Sequence, residues 1–244
     1  MFKVWAKNII NLVYPLACAV CGERLDPLSA RPLCDGCWQS IKFILPPFCR
    51  CCGKHLPASA QRYAFVCSDC QQARHFFKAA RSACAYEGVI KECIHLLKYA
   101  QKFALNRPLS ALMIGFAQRH LRLDTIDLIL PVPLHQVKLR ERQFNQATLL
   151  ARTLAKEFSR DIHEKTLVRI RNTPSQTALT KAQRLKNVAG AFSVRLPASI
   201  DKKRILLIDD VFTTGATVGE CAKVLTQAGA RSVEILTLAR STTL

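Results

Sequence analysis

The stretch Ile205–Thr217, ILLIDDVFTTGAT, constrains the fold of this chain more than any other. Four consecutive apolar residues, Ile205 to Ile208, suit a strand buried on both faces, as in a parallel sheet covered by helices. Asp209 and Asp210 follow where such a strand should end. Thr213, Thr214, Gly215, Ala216 and Thr217, small and rich in hydroxyls, then open a helical stretch that runs to about Gln227. A loop of this composition turns backbone N–H groups inward, and the helix N-terminus adds partial positive charge, so the two together cradle a phosphate. Paired carboxylates are badly placed for phosphate but accept hydrogen bonds from vicinal hydroxyls. A ribose 5-phosphate carries both kinds of group a few ångströms apart.

The same 13 residues resemble the PRPP (phosphoribosyl pyrophosphate) motif of type I phosphoribosyltransferases. The resemblance implies that Asp209 and Asp210 hold the ribose hydroxyls and that Thr213 to Thr217 bind the 5-phosphate.

A second signal lies at the other end of the chain. Nine of the twelve cysteines fall before residue 71, mostly in CxxC pairs: Cys18/Cys21 with Cys34/Cys37, then Cys49/Cys52 with Cys67/Cys70. Each CxxC turn offers two thiolates to one ion, and two turns complete a tetrahedral shell. Closed four-thiolate sets at regular spacing suit two structural Zn2+ ions rather than an iron–sulfur or redox role. Cys51 is spare beside Cys52, so the choice between them rests on spacing. Cys84, Cys93 and Cys221 are isolated and read as small buried apolar residues. The segment is too small to fold on its apolar core, so metal must supply folding energy.

Between these ends the pattern is α/β. Strands are expected at Ala79–Tyr86, Asp127–Val132, Thr166–Ile170, Arg204–Ile208 and Ser232–Leu238, and helices at Val89–Tyr99, Leu109–Leu121, Asn145–Phe158 and Thr217–Gln227, the last stopped near Gly229. Alternation of this kind argues for a parallel sheet flanked by helices, with ligands at the carboxyl ends of the strands. The expected organisation is a helix over 1–15, a double zinc ribbon over 16–75 and a phosphoribosyltransferase-like domain over 79–244. Phe2, Trp5, Ile9 and Leu12 form an apolar stripe in the first of these, which fits either packing on the protein or lying on a membrane surface.

Two basic segments accompany the acidic pair. Residues 130–146, LPVPLHQVKLRERQFNQ, gather His135, Lys138, Arg140, Arg142 and Asn145 into one loop after a strand, a set of donors suited to pyrophosphate. Residues 169–192 carry Arg169, Arg171, Gln176, Arg184 and Asn187 in a polar, mobile excursion that would close over a bound ligand and exclude water. Lys98, in LLKY, reads either as facing the phosphates or, in preference, as a helix-surface lysine.

The order of these segments is identified as that of the ComF/GntX family: Cys-rich ribbons, LLKY, PVPLHxxxLRERxFNQ, RxRxTxxQ…NVxGAF and LLIDDVxTTGAT. The similarity covers nearly the whole chain. Two positions depart from the family pattern: Gln143 stands where glycine is usual, and Phe212 where a small aliphatic residue is usual. Membership implies PRPP with Mg2+ as ligand and a part in DNA uptake during natural transformation. It also implies handling of single-stranded DNA, beside DNA-uptake proteins, at the cytoplasmic side of the inner membrane. A housekeeping phosphoribosyltransferase of nucleotide metabolism and a non-catalytic PRPP-sensing regulator are the other two readings. No residue stands out as a general base, so no catalytic residue is assigned.

Charge and hydropathy bound the rest. Lys and Arg number 36 against 17 Asp and Glu, a net +19, which favours anionic partners without choosing among them. No stretch approaches the roughly 18–20 apolar residues of a membrane span. Lys3, Lys7 and the apolar run after them superficially suggest a signal peptide. Asn8 and Asn11 interrupt it, so a cytoplasmic protein is expected. Tyr14, Trp38, Phe48, Tyr63 and Phe65 serve either as base-stacking platforms or as the ribbons' own small core.

Overall fold

The apolar run at 205–208 is fully buried in a five-stranded parallel sheet. The computed structural model describes residues 16–26, 28–57, 66–73, 75–174 and 179–241. The expected helix over 1–15, Gln176, Tyr14, Tyr63 and Phe65 lie outside them. The strands are β1 (Ala79–Ala85), β2 (Leu128–Pro131), β3 (Asp161–Ile162), β6 (Arg204–Phe212) and β7 (Ser232–Arg240), in the order β1-β7-β6-β2-β3. A small antiparallel pair, β4 (Leu167–Arg169) and β5 (Phe192–Val194), lies outside this sheet.

Helices follow the apolar stripes. α1 (Asp35–Gln39) and α2 (Ser68–Gln71) are single turns at the second and fourth knuckles. α3 (Gly88–Tyr99) buries Ile90, Cys93, Ile94 and Leu97, and α4 (Asn106–His120) buries Leu109, Leu112, Met113 and Phe116. α5 (Gln136–Arg142) is short, and α6 (Gln146–Phe158) buries Leu150, Ala151 and Leu154 beneath a side-chain cap from Asn145. α7 (Lys181–Val188) precedes β5, and α8 (Ala216–Gln227) buries Val218, Cys221 and Leu225. Gly229, at φ 101°, follows the end of α8 as the sequence suggests. Each fully buried Leu or Ile contributes about 1.5–3 kcal/mol.

The core forms two layers. α3, α4 and α6 share one with Cys18 and Cys34; α8, the β4–β5 pair, Cys49, Cys52 and Cys67 share the other. The two ribbons thus straddle the β1 edge, one on each face. The connection between them runs along that edge. Phe43 bridges Cys84 antiparallel, Ile44 N donates to Ala83 O at 3.0 Å, and Ala85 N donates to Lys42 O at 2.8 Å. Ala80 N donates to Cys51 O at 2.7 Å, and a β-carbon on Gly53 would sit 2.3 Å from Ala80 O. Phe48 packs on Phe116 and His120 of α4 at ring separations of 6.0 and 5.3 Å, and Arg31 lies over Trp38 at 4.7 Å, so both described aromatics are engaged within the protein.

Three local expectations are corrected. β6 runs to Phe212, so the two acids sit inside the strand, because its β7 partner continues alongside to Arg240. The 130–146 loop contains α5, whose first turn is capped by His135 Nδ1 accepting from Val137 N at 3.3 Å. The 171–191 excursion contains α7, opened by a capping box between Thr180 and Gln183.

Candidate functional site

The site begins with the different lengths of β6's two pairings. With β2, β6 pairs only as far as Pro131↔Ile208; with β7 it continues to Phe212↔Arg240. From residue 209 onward the β2 side of β6 therefore opens into a crevice. The chain order places the topological switch there as well: β3 lies beyond β2 on one side and β7 beyond β6 on the other, the place where parallel sheets bind ligands.

Asp209 and Asp210 stand at this opening, 9% and 5% exposed. Successive strand residues point to opposite faces, and the two acids meet different neighbours. Asp210 forms an ion pair with Lys98 of α3 and accepts from Gln146 Nε2 at 3.4 Å. Gln146 in turn accepts from Arg142 Nη1 at 2.8 Å, and Arg142 lies over the Tyr99 ring at 5.3 Å. Burial pushes the Asp210 pKa up, but the Lys98 ammonium and its hydrogen bonds outweigh that and hold it below its ordinary value. Lys98 is raised, because Asp210 overcomes the burial penalty on the ammonium. Asp209 goes the other way: burial, and then the Asp210 charge, push its pKa well above the usual carboxylate range. Arg169, half-buried at the end of β4, feels the Asp209 charge from the other face. One acid is thus held ionised and its neighbour favours its proton.

Lys98 was expected on a helix surface and is instead half-buried, with its ammonium on Asp210. Its position gave the signal: it follows Ile90 by eight residues and Ile94 by four, on the stripe that α3 turns inward. Gln146 went unassigned, although it directly follows the Asn145 cap. Asn145 itself caps α6 through Ala147 N at 3.0 Å and donates to Val132 O at 2.9 Å, fixing the turn after β2. His135 caps α5, and Arg140 is exposed on that helix. Gln143, in place of glycine, holds the left-handed conformation that ends α5, at φ 66°.

In the other basic segment Arg169 donates to Thr173 Oγ1 at 2.5 Å and lies over Phe192 at 5.3 Å. Arg171 donates to the carbonyls of Asn187 and Ala189 at 3.1 and 2.6 Å, and Arg184 to Leu179 O at 2.9 Å. Arg171 and Arg184 thereby tie α7 to its flanking chain, while Arg169 is held on Thr173 and Phe192.

Beyond the acids, Gly215 at φ 79° turns the chain into α8, with Thr213, Thr214 and Thr217 half-buried and Ala216 buried around it. Gly219 N donates to Gly215 O at 2.8 Å, and Ala216 N to Thr214 Oγ1 at 3.4 Å. Phe212 packs beneath Gly215, where a β-carbon would come within 2.7 Å of its ring. A cavity of about 800 Å3 extends from Thr213, Thr214 and Gly215 to the second ribbon and α7.

The eight predicted metal ligands assemble as two sets. In each of Cys18/Cys21/Cys34/Cys37 and Cys49/Cys52/Cys67/Cys70, all four sulfurs lie within 4.8 Å of one another. Cys21 and Cys34 sulfurs are 3.6 Å apart, and those of Cys52 and Cys67 3.7 Å. Tetrahedral zinc with Zn–S of about 2.3 Å needs about 3.8 Å, so both sets fit the ion. Burial raises the Cys18 and Cys49 thiols, but backbone N–H donors from the knuckles outweigh it and bring them to about 6 and about 7. Burial and neighbouring sulfurs push Cys37 and Cys70 far up, as expected of four thiols that ionise together only around a cation. Cys52, not Cys51, completes the second set. Arg240, at the end of β7, donates to Cys52 O at 2.5 Å and lies over Phe212 at 4.6 Å, linking this ribbon to the loop floor. Among the described residues no helix is long and apolar enough to cross a membrane.

Comparison with known proteins finds two matching family models. The sequence model of the Double zinc ribbon domain matches residues 9–71, and that of the Phosphoribosyl transferase domain residues 145–243. ComFC, a competence protein of Bacillus subtilis, is 31% identical over 248 residues, covering 94% of this chain and 97% of its own. Competence protein F of Haemophilus influenzae is 29% identical over 228 residues, covering 92% and 96%. The DNA utilization protein YhgH of Salmonella typhimurium is 30% identical over 233 residues, covering 94% and 99%. Among solved structures, the glutamine PRPP amidotransferase of B. subtilis matches 55% of this chain and 26% of its own at 19% identity, with a TM-score of 0.39.

Proposed function

The chain belongs to the ComF family, and from that premise we propose that it binds PRPP with Mg2+ at the β6 crevice and supports uptake of DNA in natural transformation. The observation that carries the ligand is the acidic pair, buried at the unpaired edge of β6 and one turn of chain before the N-terminus of α8. Asp210, kept ionised by Lys98, accepts from one ribose hydroxyl, and Asp209 exchanges hydrogen bonds with the other. Backbone N–H groups of Thr213 to Thr217 take the 5-phosphate. Pyrophosphate, carried with Mg2+, lies toward His135, Arg140, Arg142 and Asn145 after β2, with Arg169, Arg171 and Arg184 closing from the other side. Mg2+, when bound, neutralises charge on the pyrophosphate oxygens.

The DNA reading is supported by the names of the relatives and by the net charge of +19. In it the protein works at the cytoplasmic side of the inner membrane, handling single strands beside DNA-uptake proteins. Its basic surface tracks the phosphates, and binding weakens steeply with salt.

Calorimetry with Mg2+-PRPP tests the first part. Wild type should bind saturably. The charge-balanced double variant Lys98→Met/Asp210→Asn should bind at least about tenfold more weakly, since hydrogen bonds to charged groups are worth about 1.5–3 kcal/mol, and Asp209→Ala, which removes both carboxyl oxygens from the other hydroxyl, should also bind more weakly than wild type. No binding by folded wild type would overturn the assignment. Titration of a single-stranded oligonucleotide at rising salt tests the second part, and the absence of a salt slope would overturn it. Pyrophosphate release with a nucleobase acceptor would instead identify a housekeeping transferase, and PRPP-shifted DNA affinity without turnover a regulator.

A further inference from the structure

The second ribbon holds more metal-ligating groups than one ion needs. Cys51, the sulfur left out of the four-thiolate set, lies with Cys70 and His75 in a second cluster whose donor atoms are all within 4.8 Å of one another. Cys70 belongs to both clusters. His75 Nε2 is buried with no hydrogen-bond partner among the described residues, an expense that buried polar atoms rarely carry unless an ion or water meets them.

We propose that this ribbon is binuclear: a further Zn2+ bound by Cys51, His75 and the Cys70 thiolate, which it shares with the ion of the Cys49/Cys52/Cys67/Cys70 set. Charge favours the arrangement. Four thiolates around one Zn2+ carry two negative charges in excess; a second Zn2+ arriving with one new thiolate and a neutral imidazole reduces the excess to one. Binding forms the new Zn–S bond to Cys51 as its thiol proton passes to solvent. Three protein donors leave a fourth position, as in zinc sites that bind water or ligands. Cys70 and His75 both line the cavity of about 800 Å3, which also reaches Thr213, Thr214 and Gly215. A ligand for the open position would come from that cavity. The donor set of thiolate and imidazole suits zinc rather than magnesium or calcium.

The test is a metal count on the full chain, reconstituted in excess Zn2+ and desalted, by elemental analysis and native mass spectrometry. Three ions per chain are expected for wild type, and two for each of Cys51→Ser and His75→Gln. Two retained ions and an unchanged far-ultraviolet spectrum show that the variants fold. Substitution with 113Cd adds a readout of the shared sulfur: two cadmium resonances should couple through Cys70. Two ions in wild type, including the case of one ion moving between the two sets, would overturn the proposal. So would a third ion that survives both variants, or three ions without cadmium coupling.

Discussion

Asp209 and Asp210 are chemical twins placed in opposite electrical surroundings, and their titration should separate them. Lys98→Met removes the counter-ion of Asp210 and should cost about 3 kcal/mol at pH 7, the usual penalty for leaving one partner of a buried pair alone. In that variant the folded-state pKa of Asp210 rises, so the native form gains a proton and the deficit shrinks as the pH falls toward 4. Lys98→Met/Asp210→Asn should recover most of the loss, read as melting temperature in all three proteins. Asp209 already has a raised folded-state pKa. Above about pH 4 the unfolded chain releases a proton that the native state keeps, so this group lowers stability as the pH rises. Asp209→Asn should therefore melt higher than wild type at pH 7, with the gap closing below pH 4. Sequence made both acids legible because their order within the motif is fixed. It hid Lys98 because a lysine reads as surface until the stripe it sits on is counted turn by turn.

At the scale of elements, the regular parts were legible and the basic segments were not. β6 and α6 announce themselves through apolar periodicity and a side-chain cap. α5 and α7 are short and polar, held by the His135 cap and the Thr180–Gln183 box, which pattern reading passes over when charge dominates. Gln143 shows what such an element tolerates. Its left-handed backbone costs about 1–2 kcal/mol for a residue with a β-carbon, offset in part by its side chain donating to Arg140 O at 2.6 Å. Gln143→Gly should raise the melting temperature by about 2–4 °C, the shift that about 1 kcal/mol produces at this size. Gly53→Ala is the opposite case. Its β-carbon would meet Ala80 O, and its φ of 74° already favours glycine. The second ribbon should lift off β1, with at least about 2 kcal/mol lost and zinc released sooner to a chelator.

At the scale of the molecule, the ribbons are part of the sheet's edge. Phe43 and Cys51 occupy the outer side of β1, and Arg240 reaches from β7 into the third knuckle, the first of the second ribbon. Stripping zinc with a strong chelator should therefore lower the melting temperature of the whole protein and uncover the hydrogen-bonding edge of β1. Light scattering should then rise with protein concentration, since bare edges pair with one another. Unchanged scattering and melting would mean that the ribbons hang from the sheet without supporting it. Sequence divided the chain into its parts, but nothing in the spacing of the cysteines revealed that the parts share an edge. That contact joins residues far apart in the chain and leaves no local pattern.

The strand order also sets a timetable. β1 lies between β7, the strand of this sheet that a ribosome makes last, and the short segment around Phe43, made before β1 itself. Throughout translation of everything between, the neighbour already waiting for β1 is the piece of chain strung between two four-cysteine knuckle sets. If zinc organises those knuckles, its supply at the moment of synthesis would decide whether a nascent strand is sheltered by its own chain or left to find another.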